Sequence, residues 1–343
     1  MVRILFAWED PTGLREWNII KKVLFGLWGS TRFMPWTAAF FDLFSIVKKH
    51  LPSVHSYADD TQLYLSFCPS GSTGEAEALA AMERCISDVR VWMNEDKLLL
   101  NDDKTEFLVI GSKRQLAKVS VESIHVGSTD IAPSAVARNL GCWFDSNMDM
   151  AKQITQSCSS AFFYLYNIRH IRKYLSRDDT ERLVHAFITS RIDYCNSLYY
   201  GLPDKQLKKL QRVMNAGARL IFCAQKFCHI TPILKELHWL PVRSRIDFKI
   251  LLVTFKILNG MAPKYLNDLI TLQAPSSYNL RRNCQGPLLA RPTRVTKVTM
   301  GDRSFSVAAP RLWNSLPVEA RMTSSINTFK RLVKTFLFSQ SYR

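Results

Sequence analysis

Tyr57-Ala58-Asp59-Asp60 sets two adjacent carboxylates inside the run His55-Ser56-Tyr57-Ala58-Asp59-Asp60-Thr61-Gln62-Leu63-Tyr64-Leu65. Paired carboxylates on a rigid turn are suited to holding divalent metal ions against phosphate oxygens. The exit from the turn alternates Leu63, Leu65 and Phe67 with Tyr64 and Ser66. That is the period of a half-buried strand, so the carboxylates read as the tip of a β-hairpin.

The neighbouring elements have to position that tip. Residues 42–50 read as a helix feeding the hairpin, and Pro69-Ser70-Gly71-Ser72-Thr73-Gly74 reads as a loop behind it. Leu79, Met82, Ile86, Val89 and Met93 recur at spacings of three and four, the core stripe of an amphipathic helix. A polar turn at Asn101-Asp102-Asp103-Lys104 enters an apolar strand, and two shorter strands are expected at 120–126 and 140–145. Strand, strand, helix and three further strands predict an α+β domain with a mixed or antiparallel sheet.

Beyond residue 150 the pattern is helical: 154–174, 178–200 with Ser176 as N-cap, 205–222, 242–258 and 327–338. The 205–222 helix turns Leu207, Leu210, Val213 and Met214 inward and carries Lys205, Lys208, Lys209, Arg212 and Arg219 on its outer turns. Residues 271–300, rich in Pro, Arg, Ser and Asn, read as an extended basic linker or arm.

Charge separates the two halves. Residues 1–150 hold 15 Lys and Arg against 19 Asp and Glu, a net of −4. Residues 151–343 hold 31 against 10, a net of +21. This asymmetry predicts a polyanionic partner, most simply nucleic acid held through its phosphates. A hydrophobic fraction of 47% with 20 Phe and 8 Trp excludes a wholly disordered chain. No run of apolar residues is long enough to span a membrane, and Glu9 and Asp10 interrupt the apolar start, so an intracellular protein, nuclear or cytoplasmic, is expected. The cysteines lack a CxxC pair; Cys223, Cys228 and His229 are the one local cluster, without a second ligand pair, and reduced, mostly buried thiols are expected.

Four stretches together resemble the C-terminal part of a non-LTR (LINE-like) retrotransposon reverse transcriptase. They are the Tyr57–Asp60 hairpin, residues 100–110 with Asp103-Lys104-Thr105, residues 139–145, and a basic tail. The tail includes His229-Ile230-Thr231-Pro232, Leu237-His238-Trp239-Leu240-Pro241-Val242 and the stretch from Gly301-Asp302-Arg303-Ser304-Phe305 to Trp313-Asn314-Ser315-Leu316-Pro317. The resemblance implies an RNA-directed DNA polymerase using Mg²⁺ or Mn²⁺, an RNA template, a DNA primer and dNTPs. It implies that Asp59 is the main metal ligand and Asp60 its weaker partner, with Ala58 keeping the turn slim and Tyr57 against the primer end. Lys104 matches a lysine that protonates the leaving pyrophosphate; a surface lysine in a polar turn is the alternative. Leu140 and Gly141 fall in the primer-grip strand pair, and Lys205, Lys208, Lys209 and Arg212 would contact nucleic acid.

The family's catalytic aspartate partner lies on an upstream strand. Asp10 and Asp42 precede the hairpin, and neither stands in a matching strand. The resemblance therefore implies a truncated polymerase, inactive alone: an unassigned segment 1–41, a partial palm 42–150, a helical thumb-like domain 151–270 and a basic region 271–343. A sheet missing its first strands would expose an edge and lower solubility. The alternative is a catalytically dead nucleic-acid-binding remnant acting through its basic helices.

Overall fold

The computed structural model describes residues 2–8, 37–57, 60–67, 72–273, 286–292 and 301–343. The chain is α+β, and its described residues divide into two compact units, one holding those up to Lys152 and the other those from Gln153 on. Among the described residues no helix is long and apolar enough to cross a membrane.

The first unit is built on a sheet of order β2-β3-β1-β4. Strands β2 (Ser53–Tyr57) and β3 (Asp60–Phe67) form the expected antiparallel hairpin, in which Tyr57 pairs with Asp60. Strand β1 (Val2–Trp8) lies between β3 and β4 (Glu106–Ile110), parallel to both. Residues 1–41 therefore contribute the strand that joins the hairpin to β4, where the sequence reading left them unassigned. The apolar run from Val2 to Trp8 suits a strand flanked on both sides, though nothing local distinguishes it from a buried helix. The outer edge of β4 is engaged at two points: Ser134 N–H donates to the Phe107 carbonyl at 2.7 Å, and Gly111 N–H to the Ser146 carbonyl at 2.9 Å.

Helices Thr37–His50 and Ser72–Glu95 cover one face of this sheet. Leu43, Val47 and Leu51 meet Met82, Ile86 and Val89 over Leu63, Phe67, Phe107 and Val109 in one buried cluster, with Leu79 and Met93 packed at its margin. The expected helical stripe is thus the core. The expectation of a half-buried β3 is corrected: Thr61, Gln62, Leu63 and Tyr64 are all buried, on both faces. The expected strand at 120–126 shortens to β5 (Ile124–Val126), paired with β6 (Thr129–Ile131). The segment at 140–145 is the return arm of a further hairpin, β7 (Val136–Asn139) and β8 (Cys142–Asp145).

The second unit is helical. Helix Ala151–Ile171 is followed by Arg177–Val184, whose N-cap Ser176 accepts from Asp179 N–H at 3.1 Å as expected. The continuous helix expected over 178–200 breaks up. It widens into a π-helical turn at His185–Thr189, resumes as Ser190–Asp193 and stops where Cys195 takes a left-handed conformation (φ 52°). Helices Asp204–Ile221, Ile230–Glu236 and Val242–Leu258 follow, then Phe305–Asn314, Val318–Met322 and Ile326–Ser341. The guanidinium of Arg172 donates to the carbonyls of Leu220 and Ile221 at 3.1 and 2.9 Å, satisfying groups a helix end leaves open.

Leu251, Phe255, Trp313, Phe329, Val333 and Leu337 pack together, with the Phe255 and Phe329 rings stacked at 4.2 Å. Leu289 belongs to this cluster. The expected linker at 271–300 is thus corrected for residues 286–292, which Leu289 builds into the unit. Leu272 bridges Leu289, and the Asn314 side chain imitates a strand partner for Leu289. Its Oδ1 accepts from Leu289 N–H at 2.9 Å and its Nδ2 donates to the Leu289 carbonyl at 2.8 Å. Trp313 Nε1 donates to the Pro287 carbonyl at 3.0 Å. Residues 274–285 and 293–300 lie outside the described residues.

The described cysteines are free: Cys85 and Cys142 are buried, Cys158 and Cys195 half-buried, and Cys223 and Cys228 exposed, so the expectation of mostly buried thiols holds for part of the set. Burial, and secondarily the Asp88 charge, pushes the Cys85 thiol up to about 12.

Asn314→Ala removes both partners of the Leu289 backbone at once. Leaving a buried N–H and carbonyl unpaired should cost about 2 kcal/mol or more. Urea denaturation of the variant should show that loss, and proteolysis should become faster at residues 286–292; an unchanged midpoint would contradict the account.

Candidate functional site

The register of the parallel strands aligns the candidate residues. Arg3 is level with Gln62 on one side and with Glu106 on the other. Asp60 and Lys104 each stand two residues before those positions, so both lie at the same end of the sheet, Asp60 at the start of β3 and Lys104 in the turn that enters β4, with β1 between the two strands. Tyr57, paired with Asp60, stands at this end and is exposed. Asp60 is half-buried and Lys104 exposed. Ala58 and Asp59 lie outside the described residues.

The polar turn ahead of β4 has a defined structure. Asn101 caps the 3₁₀ turn Asp102–Lys104, its Oδ1 accepting from Lys104 N–H at 3.1 Å. Thr105 Oγ1 donates to the Asn101 carbonyl at 3.0 Å, and Asp102 is ion-paired with Arg90 of the covering helix. These contacts fix the backbone of Lys104 while its side chain stays in solvent.

A buried polar pair ties the β7–β8 hairpin to the same sheet. Gln62 Nε2 donates to Asn139 Oδ1 at 2.7 Å, and the Tyr64 hydroxyl donates to Gln62 Oε1. His55 meets the Tyr64 ring edge-on at 5.4 Å. Asn139 pairs with Cys142 across the turn, leaving Leu140-Gly141 as a two-residue loop with φ of 45° and 80°. Positive φ at both positions is the type I′ geometry that matches strand twist. Glycine adopts it freely, whereas Leu140 does so at a cost of about 1–2 kcal/mol. Tyr57, Asp60, Lys104 and the Leu140-Gly141 turn are thereby attached to one sheet through β1 and the Gln62–Asn139 bond. At the end of β8, burial raises the Asp145 carboxyl above its usual range, against the Asp149 N–H donated to it at 2.7 Å.

Asp42 is exposed on helix Thr37–His50, and Asp10 lies outside the described residues. Strand β1 ends at Trp8, which pairs with Phe67 at the sheet end opposite Asp60. Among the described residues no three His, Cys, Asp or Glu side chains converge as they would to hold a metal ion, at Asp60 or at Cys223, Cys228 and His229. The described side chains thus do not by themselves make up a two-metal site.

In the second unit, Lys205, Lys208 and Arg212 are exposed along one line of helix Asp204–Ile221, over about 10 Å of its axis. Lys209 is half-buried and turns toward Cys158, whose thiol burial raises and the lysine's charge partly lowers. Leu207, Leu210, Val213 and Met214 are buried as expected. Gly217 allows a close helix approach: a Cβ there would stand 3.1 Å from Val184 Cγ1.

No family model matches the chain, and neither the curated proteins nor the solved structures include a match to it.

Gln62 and Asn139 did not emerge from the sequence as site residues. Gln62 stands among the polar residues of an alternating strand, so nothing set it apart, and its partner 77 residues away gave no signal either. Asn139→Ala strands the Gln62 amide in the core and should destabilise the first unit by about 1–3 kcal/mol. A double-mutant cycle with Gln62→Ala should give a coupling of about 1 kcal/mol; additive losses would show that the bond does not link the hairpins.

Proposed function

We propose that this chain serves RNA-directed DNA synthesis as the palm and thumb-like portion of a non-LTR retrotransposon reverse transcriptase, and that its ligand is an RNA template paired with a DNA primer. The observation that carries this reading is the common sheet end of Tyr57, Asp60 and Lys104, with the Leu140-Gly141 turn tied to the same strand. Asp59 and Asp60 would hold Mg²⁺ or Mn²⁺, which supplies charge neutralisation at the dNTP phosphates when bound. Tyr57 would lie against the primer end, and Leu140 and Gly141 against the primer strand. Lys104, held at its backbone and free at its ammonium group, would give a proton to the departing pyrophosphate. Lys205, Lys208 and Arg212 would take backbone phosphates, with Lys209 beside them.

The charge of residues 151–343 favours a second reading, nucleic-acid binding without polymerisation. Primer extension with Mg²⁺ or Mn²⁺ separates the two. Incorporation lost in Asp59→Asn selects the polymerase and overturns the expectation of a chain inactive alone; no incorporation with hybrid binding intact agrees with that expectation and with the binder.

Both readings require salt-dependent binding of an RNA–DNA hybrid. Affinity should fall linearly with log salt concentration, and replacing Lys205, Lys208 and Arg212 by Ala should reduce that slope by roughly 2 to 3. A slope that is flat, or unchanged in the variant, would overturn the assignment of these side chains.

A further inference from the structure

Helix Ala151–Ile171 carries large aromatic side chains on its solvent face. Phe162, Phe163 and Tyr166 are 48, 61 and 62% exposed, and Tyr174 just beyond its end is 77% exposed. The opposite face holds Ile154, Ala161, Leu165 and Ile168 in the core, so the exposed aromatics are not that helix's packing stripe. Phe162 and Phe163 precede Tyr166 by four and three positions, so the three share one stripe of the helix, and large apolar groups clustered in water are candidates for a binding surface.

The residues around the aromatics identify what binds. The helix contains no Asp or Glu along its length. Arg169 and His170 occupy its last turn, and the Lys173 ammonium lies 4.8 Å from the Tyr174 ring. His170 meets Tyr166 edge-on at 4.4 Å. Beside this row Tyr164 stacks on Phe187 at 5.0 Å with the ring planes 16° apart, and the Arg191 guanidinium lies 4.2 Å from the Tyr164 ring. An apolar protein partner would bury these cations without counter-charges, at a cost. A duplex keeps its base faces stacked internally and offers nothing to the rings. Unpaired nucleotides fit both features, since bases stack on aromatic faces while cations follow the phosphates.

We propose that the solvent face of helix Ala151–Ile171, centred on Phe163 and Tyr166 and flanked by Arg169 and Lys173, is a binding site for single-stranded nucleic acid. It calls for unpaired bases and no metal ion, and it is distinct from the duplex-phosphate contacts assigned to Lys205, Lys208 and Arg212.

Fluorescence anisotropy with a labelled oligothymidylate and with an RNA–DNA hybrid of the same length tests it on the full chain. The Phe163→Ala/Tyr166→Ala variant should bind the single strand about tenfold more weakly or worse, and the hybrid nearly as well as the parent. A strand containing 2-aminopurine should be quenched by the parent and by Phe163→Tyr/Tyr166→Phe, and not by the alanine variant. Unchanged oligothymidylate affinity, an equal loss for strand and hybrid, or a parent that self-associates in sedimentation through these rings while the alanine variant is monomeric with strand binding intact would each overturn the proposal. Absence of hybrid binding by the parent would count against the function proposed above and leave the single-strand comparison readable.

Discussion

The first unit depends on the seating of β1 between β3 and β4. The β2–β3 hairpin and β4 do not touch each other in the sheet; each reaches the other only through the backbone of Val2–Trp8. Parallel neighbours cannot be joined by tight turns, so long connections are unavoidable, and helices Thr37–His50 and Ser72–Glu95 occupy two of them. The same pairing sets the level of Asp60 against that of Lys104. A one-residue slip of β1 on either neighbour would move those positions apart by about 3.3 Å and reverse the face each strand presents.

The second face of β3 supplies the other constraint. Burying the Gln62 and Asn139 amides and the Tyr64 hydroxyl is tolerated because each finds a partner in the others. Such a network adds little net stability, about 1 kcal/mol per bond, but it penalises every arrangement that breaks it. It therefore selects one placement of the β7–β8 hairpin, and with it one placement of the strained Leu140 turn.

What could be read from residues alone was whatever follows a local period. The stripe Met82, Ile86 and Val89, the Ser176 cap and the inward line of helix Asp204–Ile221 all reduce to spacing, and all appear as read. Strand β1 was missed because an apolar run lacks a period to distinguish strand from helix. Tyr64 was misread as lying on the open face of a half-buried strand because alternation reports polarity, and here that face carries a buried bond to a hairpin far along the chain. The π-helical turn at His185–Thr189 and the left-handed Cys195 interrupt the helix expected over 178–200, where Thr189, Ser190, Tyr194, Cys195 and Asn196 are weak helix formers that an apolar spacing does not reveal. Asn314 acting as a strand for Leu289 leaves no pattern in the sequence. Of the candidate site, the hairpin, the Lys104 turn and the basic helix were legible; the bond that ties the Leu140-Gly141 hairpin to strand β3 was not.

Two parts of the second unit run against local stability. On helix Asp204–Ile221, Lys205, Lys208 and Arg212 repel one another at spacings of three and four, each pair costing a few tenths of a kcal/mol. The one acid of that helix, Asp204, is already paired with Arg243. On helix Ala151–Ile171, Phe163 and Tyr166 leave in water apolar area that burial would stabilise by roughly 1.5–3 kcal/mol per side chain. Among the described residues the offsets are partial: Phe163 meets Tyr164 and Tyr166 meets His170 edge-on, which leaves the ring faces in water. A polyanion that screens the lysines and offers flat apolar surface to the rings relieves both, and nucleic acid combines those two properties in one molecule.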